Sequence, residues 1–195
     1  MQPKITIVPV TPDRWNDLAT LFGERGASEG CWCMFWRVRR KDFQHMNSAD
    51  NREALHEITE RGEEPGLLAY IDGKPVGWCS VGPRESYAAL EHSSKYKRVD
   101  DQPVWSIVCF FMDSAARGQG LMNALIHGAV AYAKNHGAKI VEAYPTDMQS
   151  DDLIGKRLSG DGGYMGIASA FRKAGFVEAA RPSETKIIMR YKIRR

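Results

Sequence analysis

Between residues 110 and 126 the chain reads FFMDSAARGQGLMNALI. A run of strand formers stops at Asp113, small residues and two glycines follow, and an apolar helical repeat then begins. Arg117, Gly118, Gln119 and Gly120 therefore stand where a strand hands over to a helix. A helix start leaves several backbone N–H groups without intrahelical partners, and the helix dipole makes that end partly positive. An anion placed there satisfies both, and glycine lets the amides approach an oxygen closely. The chemistry expected is phosphate binding, with Arg117 adding charge at the rim. The alternative is that the two glycines only make a tight loop.

A second unusual stretch, EGCWCMFWRVRRK, begins at Glu29. Trp32, Phe35 and Trp36 offer flat apolar surfaces, and Arg37, Arg39, Arg40 and Lys41 follow. The aromatics read either as a binding surface or as core, and the basic run as a solvated face. Cys31 and Cys33 have no second ligand pair at zinc spacing, so no metal is expected.

These residues need elements to position them. KITIVPV reads as a strand and the segment from Thr11 to Gly23 as a helix, with Thr11 as cap and Pro12 in the first turn. Residues 28–47 read as irregular, and a second helix runs from a cap near Ser48 to Gly62. Strands near 66–71 and 75–81 flank the turn Asp72-Gly73. Residues 84–103 are polar with a short helix. PVWSIVCFFM reads as a strand buried on both faces, and the helix from Gly120 ends near Gly137. KIVEAYP is the next strand. A long polar loop over 146–165 follows, then a short helix and a final hairpin with a wide connection. The order is β-α-α-β-β-β-α-β-α-β-β. It predicts one α/β domain over 1–195 with a mixed sheet.

The 195 residues are 43% apolar and 26% charged, which suits a folded domain with a real core. The net charge of +3 does not by itself call for nucleic acid or membrane. No apolar run approaches a membrane span, and the opening MQPKITIVPV has no long apolar core after its basic residue. A cytoplasmic protein with reduced thiols is expected.

ARGQGLMNALI resembles the cofactor signature of the GNAT superfamily of N-acetyltransferases, Arg/Gln-x-x-Gly-x-Gly/Ala. Arg117, Gly118, Gln119, Gly120 and Leu121 occupy its first five positions, and Met122 stands at the sixth, where Gly or Ala is usual. SAFRKAGFVE is similar to the family's late segment, with Phe171 where a tyrosine, the proposed general acid of many relatives, is common. The Cys-Trp-Cys-Met segment is similar to that of a bacterial subgroup. The resemblance implies a central, mostly antiparallel sheet splayed at a parallel strand pair and flanked by helices. It also implies acetyl transfer from acetyl-CoA to an amine by direct attack, without a metal.

On this resemblance the diphosphate of coenzyme A lies against the amides of residues 118–123, including Met122 and Asn123. The pantetheine arm uses backbone groups of Phe110 and Met112. An N–H near Phe111 or Met112 polarises the thioester carbonyl, a stabilisation of about 3 kcal/mol at other oxyanion sites. Ser169, on the late helix, serves either the cofactor or the helix cap. Trp32, Cys33, Phe35, Trp36 and Tyr144 would shape the acceptor site, for a small-molecule or peptide amine.

The attacking amine must be neutral, so a base or a water chain is needed. The strand 104–112 contains no Asp, Glu or His, which leaves Glu142 on the neighbouring strand and Glu29 beside the aromatic stretch. Tyr164, in the long loop, is the candidate to replace the acid missing at Phe171. Two rival readings stand. One is a noncatalytic acyl-CoA-binding module, consistent with Phe171. The other is a dinucleotide enzyme, for which Gly118-Gln119-Gly120 and Glu142 fit but Asn123 replaces the third glycine. No recognition motif accompanies the basic runs, so a nucleic-acid partner is not expected. Pairing of two copies through a sheet edge stays open.

Overall fold

The structure, a computed structural model, describes residues 4–116, 118–156 and 163–194. Its centre is one seven-stranded sheet in the order β1-β2-β3-β4-β5-β7-β6. The strands are β1 (Ile5–Pro9), β2 (Leu67–Ile71), β3 (Lys74–Pro83), β4 (Trp105–Met112), β5 (Ile140–Ala143), β6 (Val177–Ser183) and β7 (Lys186–Lys192). Every neighbouring pair is antiparallel except β4 and β5. That pairing lasts only from Trp105↔Val141 to Ile107↔Ala143, so the upper half of β4 leaves β5 behind. This is the mixed, splayed sheet expected from the sequence. It also removes the dinucleotide reading, since a single short parallel pair is no doubly wound sheet.

The helices are α1 (Trp15–Phe22), α2 (Arg40–Phe43), α3 (Ser48–Glu60), α4 (Ala88–Glu91), α5 (Leu121–Asn135) and α6 (Ala168–Lys173). The cap of α3 is Asn47 rather than Ser48. Its side chain accepts from the amides of Ala49 and Asp50, and Asp50 returns the bond in a capping box. Thr11 caps nothing; its hydroxyl donates to Asp13, and a 3-10 turn precedes α1. The last hairpin is tight, with only Glu184 and Thr185 between strands paired at Ser183↔Lys186. Pro182 can lie inside β6 because β6 is an edge strand, where a missing N–H breaks no ladder.

The sheet separates two cores. On one face α5 and α6 bury Leu121, Leu125, Ile126, Ala129 and Phe171 against Phe110, Val81 and Cys79. On the other, α1 and α3 bury Trp15, Leu18, Phe22 and Leu55 against Trp78 and Leu68. A large side chain fully removed from water in this way contributes about 1.5–3 kcal/mol. Alternation along β4 sends Phe110 and Met112 to the α5 side and Cys109 and Phe111 to the α1 side. A bulge at Val108, which has no partner between the pairs Val81↔Ile107 and Ser80↔Cys109, sets that phase.

Candidate active site

The helix α5 begins at Gly120, with φ +80°, and no side chain caps it. Gly118 also has φ +80°. A Cβ at either glycine would meet no atom within 4 Å, so the backbone angle requires glycine there, not crowding inside the protein. The first regular helical bond runs from the Ala124 N–H to the Gly120 carbonyl at 3.1 Å. The amides before it open onto a cleft of about 290 Å³ lined by Gly118, Gly120, Met122, Asn123, Met112 and Ser169. Gln119 folds back onto the turn, donating to the Ala115 carbonyl at 3.3 Å. Leu121 anchors the helix in the core, 2% exposed. Lys173 adds a cation to the cleft's rim. Arg117 lies outside the described residues.

The residues present fit a diphosphate. Helix-start amides with no side-chain cap, a helix dipole, a lysine and open space above two glycines converge on one spot. Ser169 sits inside α6 and lines this cleft, while Ile167 takes the cap position. Phe171 packs between Phe110 and Phe176, fully buried, where it offers a floor and no proton.

On the opposite face lies a larger cavity of about 450 Å³. Several elements contribute to its walls, among them the following. The segment before α2 supplies Ser28, Glu29, Cys31, Cys33, Phe35 and Trp36; β4 supplies Cys109, Phe110 and Phe111; the chain ahead of α6 supplies Tyr164 and Met165. The first wall is folded by an unusual backbone. Ala27, Glu29, Trp32 and Cys33 have φ of 69°, 51°, 43° and 55°, each costing about 1 kcal/mol or more. Burial of Trp32 against Trp15 and Phe22 offsets that strain, as do the bonds from Trp32 Nε1 to Ser48 Oγ and from Asn51 Nδ2 to the Gly30 carbonyl. Gly26 is needed for a second reason: a Cβ there would sit 2.2 Å from the Trp32 indole nitrogen.

Parity along β4 decides which amides face the splay. Asp113 N–H donates to Val76 of β3, and Phe110 N–H donates the other way, to the Tyr164 carbonyl at 2.6 Å. Met112 therefore shares the direction of Phe110, while Phe111 N–H points into β3. Phe111 is thus corrected as an amide donor toward the gap, and Phe110 already has an acceptor. Residues 164–167 occupy the gap beside β4. Thr146 N–H donates to the Gly166 carbonyl at 3.0 Å and Ala168 N–H to the Thr146 carbonyl at 2.9 Å.

Glu142 is corrected as a base. It is 0% exposed and lines neither cavity. Its Oε1 accepts from Arg84 Nη1 at 2.9 Å and Tyr144 OH at 2.7 Å, and its Oε2 from Arg190 Nε at 2.7 Å. A carboxylate fixed between two guanidiniums in the interior has no route to a substrate amine. Tyr144 is corrected with it. Its hydroxyl lies among Glu142, Arg84 and Ser106, and burial, then Glu142, holds it protonated well above the usual range. Trp32 is core rather than cavity wall. The basic run is not at the α5 cleft either: Arg37 donates to the Pro65 carbonyl and stacks on Tyr87, and Arg40 stacks on Phe35.

Glu29 is exposed at the mouth of the larger cavity, and the Tyr164 hydroxyl is 2.6 Å from Ser28 Oγ on its wall. Cys33 accepts from Trp78 Nε1 at 2.9 Å, and burial pushes the Cys31 thiol up to about 11. Sequence reasoning passed over Lys186, which starts β7 and lines the same cavity; long-range pairing with Thr146 places it there, together with Ser183 across the hairpin.

A model of the acetyltransferase (GNAT) family matches residues 32–157. The chain belongs to the GNAT family. The fold agrees with solved N-acetyltransferases at low identity. One is the PaiA N-acetyltransferase of Thermoplasma acidophilum in complex with coenzyme A, at 13% identity and TM-score 0.54, over 97% of this chain and 99% of that one. Another is a ribosomal-protein-alanine N-acetyltransferase of Brucella melitensis, at 15% and 0.52, over 96% and 99%. An uncharacterized N-acetyltransferase of Methanocaldococcus jannaschii is 29% identical over 87 residues, which is 45% of this chain and 34% of that protein. The matched part of this GNAT chain thus spans about a third of that relative's length. Among the described residues no group of three His, Cys, Asp or Glu side chains is placed to hold a metal, and no helix is long and apolar enough to cross a membrane.

Proposed function

We propose that the chain transfers an acetyl group from acetyl-CoA to an amine, by direct attack while both are bound. The observation that carries this reading is the uncapped start of α5. Its amides open onto a cleft that meets β4 at Met112, next to the strand residues that floor the larger cavity. Acetyl-CoA bound there supplies an activated thioester.

The chain's own residues divide the remaining work. Backbone amides of Met122 and Asn123, with Lys173, hold the diphosphate. The Met112 N–H faces the splay and stabilises negative charge on a carbonyl oxygen. The aromatic cavity excludes water and holds the acceptor in line, an entropic advantage worth several powers of ten in rate. Glu29, at the mouth, takes the proton of the arriving ammonium. The Tyr164 hydroxyl carries the proton that a departing thiolate needs, in place of Phe171.

A second reading, an acyl-CoA-binding module without turnover, draws support from the Phe110–Tyr164 bond across the gap. One experiment separates the two. Release of coenzyme A thiol is followed with a panel of amines, beside calorimetric binding of coenzyme A. Amine-dependent release supports the transferase. Binding with no release on any amine supports the module, and no binding at all overturns both.

A further inference from the structure

We infer that the acceptor of this enzyme is an amine that carries both a carboxylate and a large flat apolar group, with Lys186 as the counter-charge for the carboxylate. The inference rests on the acetyl-transfer reading for the fate of the amine, but it concerns the cavity itself.

The shape and lining of the cavity give the apolar half. At about 450 Å³ it can hold a ligand of roughly ten to twenty heavy atoms. Phe35, Trp36, Phe43, Tyr96 and Phe111 bring rings to its walls. Phe35 meets Trp36 and Phe43 edge to face, with centroids 5.0 and 5.4 Å apart. Such a box favours a planar or bulky apolar body over a polyamine or a sugar, whose polar groups would lose water there without gaining partners.

Charge gives the other half. Three charged side chains reach this cavity: Glu29, Arg40 and Lys186. Glu29 and Arg40 are exposed at the mouth, while Lys186 is half-buried in the wall. The Lys186 ammonium donates to Thr146 Oγ1 at 2.5 Å, and among the described residues no carboxylate pairs with it. Its surroundings oppose its charge, first by burial and then through the nearby Lys95, and both lower its proton affinity. A partly desolvated cation thus lies in an apolar wall with no anion beside it among the described residues. The two buried arginines among the described residues are paired with carboxylates: Arg84 with Glu91 and Glu142, and Arg190 with Glu142 and Asp100. Arg37, half-buried like Lys186, meets the Pro65 carbonyl and the Tyr87 ring rather than a carboxylate, whereas Lys186 meets the Thr146 hydroxyl and the cavity. A ligand carboxylate supplies the missing charge through a hydrogen bond assisted by both charges.

The test uses matched ligands on the full chain loaded with coenzyme A. Acetylation of L-phenylalanine, phenylalanine amide and phenethylamine is compared by thiol release. Binding of N-acetyl-L-phenylalanine and N-acetylphenethylamine is measured by calorimetry, which needs no turnover. The carboxylate ligands are expected to be favoured about tenfold or more in kcat/KM and in Kd. In Lys186→Met that preference falls to near one; coenzyme A affinity and circular dichroism report that the variant is folded. If Lys186→Met does not fold, Lys186→Gln, which keeps a donor for Thr146, is read the same way. Equal or better use of phenethylamine or the amide by the wild type overturns the inference, as does a preference that survives loss of the lysine. Acetylation of hydrophilic amines alone overturns it too while leaving acetyl transfer standing. The expected binding preference with no thiol release supports the cavity assignment and removes the transferase.

Discussion

The Phe110 backbone N–H and the Tyr164 carbonyl oxygen are 2.6 Å apart, a hydrogen bond that ties the chain ahead of α6 to the free edge of β4. It lies where the α5 cleft and the aromatic cavity come closest, since Phe110 lines the cavity and Met112, two residues on, lines the cleft. The same short segment places the Tyr164 hydroxyl on the cavity wall beside Ser28.

Gly120→Glu is expected to lower coenzyme A affinity by about a hundredfold or more, through bulk and like charge beside a diphosphate. Gly120→Ala separates the backbone effect. An alanine at φ +80° costs about 1 kcal/mol of stability, yet meets no atom. Calorimetric titration and thermal melting of both variants check this. Unchanged affinity in the glutamate variant removes the phosphate assignment.

Tyr164→Phe keeps the ring and removes the hydroxyl that faces Ser28. Turnover is expected to fall about 10- to 100-fold if that hydroxyl delivers a proton, with a stability loss of about 1 kcal/mol from the missing bond. Thiol release from pH 6 to 9 and urea melts measure the two effects. A rate equal to wild type assigns Tyr164 to the wall alone.

Glu142→Ala leaves Arg84 and Arg190 buried with one carboxylate fewer. Stability should drop by about 3–5 kcal/mol, and less for Glu142→Gln, which keeps hydrogen-bonding capacity. Turnover per folded molecule is retained in the glutamine variant. A large fall in kcat at full folding would restore Glu142 to the chemistry.

Asp100 is one contributor to stability on the acid side. Two hydrogen bonds from Arg190 lower its carboxyl to about 2, with further help from the Gln102 amide. Because the folded value lies below the unfolded one of about 3.9, the contribution is complete above that pH. It is lost as pH falls through about 2. Asp100→Asn should therefore flatten the dependence of urea midpoint on pH between about 4 and 2. An unaltered slope there would mean that Arg190 does not hold this proton equilibrium.

Local chemistry wrote the elements and the α5 turn into the chain. The turn signal Asp72-Gly73 between two strand-like runs marked β2 and β3. An apolar run marked β4, and two glycines after it marked a helix start without a side-chain cap. These signals involve residues within a few positions of one another, so each is legible without the fold. Which carboxylate, ring or cation reaches a cavity is not local. Glu142 looked available on a strand face, and two arginines, 58 and 48 residues away in sequence, closed around it. Trp32 and Trp36 read alike, yet left-handed backbone at Ala27, Glu29, Trp32 and Cys33 turned the first into the core and the second into the cavity wall. Lys186 carried no signal at all in sequence, because its meaning comes from Thr146 beside it and the empty space in front of it. The sequence by itself determined the glycine turn and the helix that starts after it; only the tertiary structure decided which side chains reach the cavities, because burial and long-range pairing are properties of the packed whole.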